Sequence, residues 1–153
     1  MFATGFVTDP RRVAQPMSGR IVQEMDCWAR TTGKAVVGSL IVEEEGRYYN
    51  RLLLVKPSGE RVQSDKRHLF SIGGEGANFS PGRERVIVEY GGVRFLLLVC
   101  YDLRFPLWSR CRGDYDVLIY VASWPASRRE VWRTLLRARA IENQVYVLGV
   151  NRT

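Results

Sequence analysis

Apolar residues along this chain fall into short blocks set off by Gly, Pro and charged residues, and the period within each block predicts its form. Ile21, Val22, Met25 and Trp28 recur at the spacing of one helix face. Ser18 stands where an N-cap would and Gly33 where a helix would end, so the pattern predicts a helix over residues 18–32. Residues 1–17, broken by Pro10 and Pro16, read as loop. Residues 35–43 and 48–55 read as strands joined by a turn at Glu45-Gly46. Pro57-Ser58-Gly59-Glu60 marks a further turn, and residues 64–82 are irregular and Gly-rich. Gly91-Gly92 lies between 85–90 and 93–100 as the loop of a two-residue hairpin. Phe95 to Val99 is apolar at every position, as in a strand buried on both faces. Then come a turn over 101–106, a short helix near 107–112 and a strand over 116–122. A helix over 128–144 carries Val131, Trp132, Leu135, Leu136 and Ile141 at helical spacing, and a strand over 145–150 follows it.

The second half thus alternates strand and helix, which predicts an α/β fold with helices layered on sheet, one domain over residues 1–153. The chain starts in a loop and stops just after an apolar strand, so it reads as a fragment.

Composition narrows the class. Hydrophobic residues at 46% and charged residues at 25% are ordinary for a globular protein. No apolar run approaches the roughly 18–20 residues that span a bilayer, and the first residues lack the basic-then-apolar order of a secretory signal. Cys27, Cys100 and Cys111 cannot all pair, which fits a reducing, cytoplasmic compartment better than a disulfide framework. The net charge of +7 raises the question of nucleic acid. Yet 20 of the 23 basic residues are scattered arginines, with no basic run interleaved with aromatics, so no nucleic-acid partner is expected. The lone His68 and three distant cysteines lack zinc-ligand spacing, and neither metal nor organic cofactor is expected.

With only three lysines in the chain, Lys66 stands out beside His68. Cys100 ends a buried strand that turns sharply, a geometry that presents a side chain to a pocket and aims the next N–H groups, such as that of Tyr101, at the same point. A thiol there can attack a carbonyl; it can equally be a small buried hydrophobe. Lys66 can be a solvated loop cation, or an ammonium that lowers the thiol pKa and stabilises a tetrahedral intermediate. Glu75 alone is an ordinary loop acid, and His68 could serve as a protease-like base.

Taken in order, several stretches carry a specific resemblance: Lys66-Arg67-His68-Leu69-Phe70, Glu75, Ser80-Pro81-Gly82, Val99-Cys100-Tyr101-Asp102-Leu103-Arg104-Phe105-Pro106, Ala122-Ser123-Trp124-Pro125, and Arg137-Ala138-Arg139-Ala140-Ile141-Glu142-Asn143-Gln144. Together they resemble the carbon–nitrogen hydrolase (nitrilase) superfamily, in its ω-amidase-type branch, over essentially the whole chain. The resemblance implies an α-β-β-α sandwich, incomplete here at both ends. It implies hydrolysis of a small 2-oxo acid amide, releasing ammonia through a cysteine acyl-enzyme. Cys100 would be the nucleophile, Lys66 the cation that stabilises the intermediate, and Glu75 the acid that positions Lys66 and substrate. The family's general-base glutamate would lie just ahead of Met1, so the chain alone is expected to be inactive. A homodimer is also implied, with no partner beyond the amide and water. Trp124 lines the pocket or packs in the core. Arg104 or Arg128 could grip a substrate carboxylate through paired hydrogen bonds, or could be surface residues. Rival expectations are another reaction of the same superfamily (carbamoyl or nitrile hydrolysis, acyl transfer) and a catalytically inactive interaction module.

Overall fold

A computed structural model describes residues 1–152. Two sheets pack face to face, each with a helix on its outer side. The first sheet has the order β1 (Val36–Glu44), β2 (Arg47–Val55), β3 (Arg61–Asp65), all antiparallel. The second runs β4 (Ile87–Tyr90), β5 (Val93–Val99), β6 (Val117–Ala122), β7 (Tyr146–Asn151). Its first pair is antiparallel and the other two are parallel. Helix α1 (Arg20–Thr32) covers the first sheet, and α2 (Arg129–Asn143) connects β6 to β7 over the second.

The two-residue alternation of strands sorts the core into three layers. Leu52 and Leu54 meet Leu97, Val99, Val117, Ile119 and Val121 between the sheets. Leu53 and Val55, the intervening positions of β2, pack with Leu40 and Val42 against Val22, Met25 and Ala29 of α1. Leu96, Leu98, Leu118 and Tyr120 face Trp132 of α2. Burial on both faces explains why β2 and β5 end in continuous apolar runs.

Several local expectations change. Ser18 does not cap α1; the N-cap is Gly19, and the Gln15 side chain accepts from the Ile21 N–H. Trp28, Val131 and Ile141 sit on exposed helix faces, whereas Arg139 of α2 is buried. Residues 107–112 form turns, and the helical turn comes earlier, as a 3₁₀ segment at Cys100–Arg104. Strand β3 is added. Its sequence Arg-Val-Gln-Ser-Asp carries little apolar signal, and its place comes from pairing with β2. Among the described residues no helix is long and apolar enough to cross a membrane.

Candidate active site

Lys66 follows β3 of the first sheet, and Cys100 follows β5 of the second. Each therefore arrives at the same end of the sandwich from a different layer. Cys100 has φ 48°, a left-handed conformation that costs a non-glycine residue roughly 1–2 kcal/mol. That turn ends β5 abruptly and starts the 3₁₀ segment, leaving the thiol beside the cavity rather than in the ladder.

Lys66 is 1% exposed. Its backbone is fixed on both sides: its N–H donates to Asn50 O (2.9 Å), and its carbonyl accepts from Gly82 N–H (2.8 Å). A side chain at Gly82 would strike the Asp65 carbonyl at 2.1 Å, so only glycine permits this approach. The Lys66 ammonium donates to Glu75 Oε2. Glu75 is fully buried and opens the second of two 3₁₀ turns that meet at the left-handed Gly74 (φ 85°), and it also accepts from Phe70 N–H (2.8 Å) and Asn50 Nδ2 (3.2 Å). Three donors on one carboxylate in a buried setting compensate its desolvation and aim the ammonium.

A cavity of about 290 Å³ opens above these groups. Lys66, Cys100, Tyr101, Arg104, Trp124 and Arg128 all line it, so the structure brings together every cavity residue expected from the sequence, with Glu75 behind Lys66. Phe6, Phe70 and Pro125 add apolar wall. Trp124 is both pocket wall and core. Its ring packs on Trp132, its indole N–H donates to Arg128 O (3.0 Å), and the Arg104 guanidinium lies 5.4 Å over its face. Asn151 exchanges hydrogen bonds with the Trp124 backbone, fixing the rim from β7.

Burial pushes the Cys100 thiol up from its ordinary value. The Lys66 ammonium and the Ser123 amide pull it down, and the Glu75 and Asp102 charges push it up again. The expected influence of Lys66 is therefore present but is outweighed by burial, and the net direction is upward. His68 does not line the cavity. Its Nδ1 lies 2.8 Å from Asp102 Oδ1 and its ring stacks on Phe105. Asn50 carries no motif signal and emerges only from the packed structure; Asp102 and Ser123 stand in the stretches that carry the resemblance, but their contacts do not follow from them. No group of three or more His, Cys, Asp or Glu side chains among the described residues could hold a metal ion.

The profile of the carbon-nitrogen hydrolase family matches residues 1–153. The chain belongs to the carbon-nitrogen hydrolases. Among members of this family it is 47% identical over 152 residues to the omega-amidase YafV of Yersinia enterocolitica, covering 99% of this chain and 59% of that protein. It is 37% identical over 134 residues to the 2-oxoglutaramate amidase of Bacillus subtilis, covering 82% of this chain and 52% of the relative. A solved carbon-nitrogen hydrolase of Xanthomonas campestris, with an arsenic adduct in its active site, superposes with a TM-score of 0.95 at 42% identity, over 99% of this chain and 60% of the other. The chain therefore spans somewhat over half the length of the carbon-nitrogen hydrolases it matches.

Proposed function

We propose that the whole protein containing this chain hydrolyses the amide of a small 2-oxo acid amide and releases ammonia, with Cys100 as nucleophile. The observation that carries this is the convergence of a buried Lys66–Glu75 pair and a conformationally strained Cys100 on one cavity, in a chain 47% identical to an omega-amidase. Sulfur attacks the amide carbon, and the developing oxyanion is met by the Lys66 ammonium and the Tyr101 N–H. The carbon–nitrogen bond breaks, ammonia leaves with the proton taken from the thiol, and water then cleaves the thioester to give the acid and the thiol. Glu75 aims Lys66, its oxygens already engaged by three donors. The family resemblance implies a glutamate as proton carrier, and no carboxylate lines the cavity among the described residues. Arg104 and Arg128, exposed at the mouth, hold the substrate carboxylate. The working protein is proposed to be a cytoplasmic homodimer.

The test is ammonia release from 2-oxoglutaramate by the full-length protein and by Cys100→Ala. The variant is expected to be folded and inactive. A folded Cys100→Ala protein that still turns over would sink the assignment. A panel of amide, carbamoyl and nitrile substrates, with hydroxylamine as acyl acceptor, separates the reactions known to the family.

A further inference from the structure

We propose that Asp102 and His68 are positioning residues: they clip the lysine-bearing segment of one sheet to the nucleophile-bearing turn of the other, and so set the placement of the ammonium against the thiol. This rests on the reaction proposed above. Asp102 is 1% exposed and lies two residues beyond Cys100. One of its oxygens accepts from the Val99 N–H (3.1 Å), immediately before the nucleophile. The other accepts from the His68 N–H (2.8 Å) and lies 2.8 Å from His68 Nδ1, two residues beyond Lys66. A single carboxylate therefore joins both halves of the site.

The His68 ring is itself constrained. It stacks on Phe105 at 3.7 Å with planes 6° apart, and Trp108 meets it edge-on at 5.9 Å. Rotating the ring would break both the stack and the Nδ1 contact. Two residues on the other side of Lys66, the Ser64 hydroxyl donates to Leu97 O of β5 (2.9 Å). Lys66 is thus bracketed by two polar crossings between sheets whose remaining contact is largely apolar packing. Apolar packing is non-directional and fixes separation better than lateral register, whereas hydrogen bonds to a buried carboxylate fix direction. In-line placement of reacting groups is sensitive at the ångström scale.

Full-length enzyme variants separate positioning from packing. His68→Phe keeps a ring against Phe105 and the backbone N–H on Asp102 but removes the ring Nδ1 contact; His68→Gln keeps a polar side chain for Asp102 and removes the stack. His68→Phe is expected to lose about 10–100-fold in kcat, with KM within about twofold of wild type and little change in melting. His68→Gln is expected to recover most of that loss. In His68→Phe the pH midpoint for alkylation of Cys100 should rise, because the Lys66 charge is no longer held against the thiol. Wild-type kcat and an unchanged alkylation profile in His68→Phe would overturn the role of the ring, and the same result in Asp102→Asn would overturn the clip. Should that variant fail to fold, Asp102→Asn decides by the same kcat, KM and alkylation readings. Turnover by Cys100→Ala would defeat the reaction itself. An inactive Cys100→Ala together with fully active His68→Phe and Asp102→Asn would defeat the clip alone.

Discussion

A lysine in a loop is normally solvated, and burial changes what it can do. Lys66, 1% exposed and paired with a carboxylate that is itself held by Phe70 and Asn50, has its charge fixed in direction before substrate enters. Preorganised charge of this kind is worth most in a site that excludes water. In the full-length protein Lys66→Ala is expected to lower kcat by about 10²–10³-fold, the usual cost of removing one group that stabilises an oxyanion. Lys34→Ala and Lys56→Ala should leave kcat unchanged, since neither lines the cavity and Lys56 is engaged by Glu60 on the surface. Equal losses from all three substitutions in steady-state assays would show that Lys66 acts only through net charge. Cys100 and Lys66 stand in linear stretches that carry the family resemblance, whereas Glu75 is an ordinary loop acid by its own sequence and was singled out only by that resemblance. His68 and Asp102 were each visible but their pairing was not, since they are joined across 34 residues by contacts that no local pattern encodes.

Elements dense in apolar residues at a clear period were equally legible. Strands β1, β2, β5, β6 and β7 and both helices fall within a few residues of the expected bounds; all but the largely exposed β7 bury a face against a neighbouring layer. Strand β3 was not, because it is held by its ladder with β2 and by a polar anchor. That anchor is Arg51 in β2, almost fully buried, which donates to Asp65 of β3, to Glu44 at the end of β1 and to Gln63. Arg51→Met is expected to destabilise the fold by on the order of 2 kcal/mol. This is less than for a fully buried pair, because Glu44 keeps 45% of its side-chain exposure. The effect has a pH signature. Hydrogen bonds from Arg51 hold the Glu44 carboxyl below its usual 4.5. Its contribution is therefore complete above that pH and is lost as pH falls through the lower folded value. The stability gap between wild type and Arg51→Met, read from denaturant midpoints, should narrow on acidification below the usual 4.5. A gap that widens there would contradict the anchor.

At the scale of the whole molecule, the outer strand β7 leaves Tyr146, Leu148 and Val150 at 79%, 49% and 55% exposure beside an unpaired edge. An apolar open edge invites pairing with other chains. Residues 1–153 alone are expected to self-associate with rising concentration in sedimentation velocity and to release no ammonia from 2-oxoglutaramate. With the flanking reading frames restored, both behaviours should reverse. Full turnover by residues 1–153 would show that no proton carrier beyond them is needed. A second property follows from where the ammonium and the thiol are anchored. Because one belongs to each sheet, their alignment reports on the seam between the layers, and small slippage there matters before either sheet comes apart. Heating should therefore extinguish turnover at temperatures where circular dichroism still shows intact strands. Brief cooling from that interval should restore the rate in full, so that the enzyme behaves as its own thermometer for the fit between its two halves.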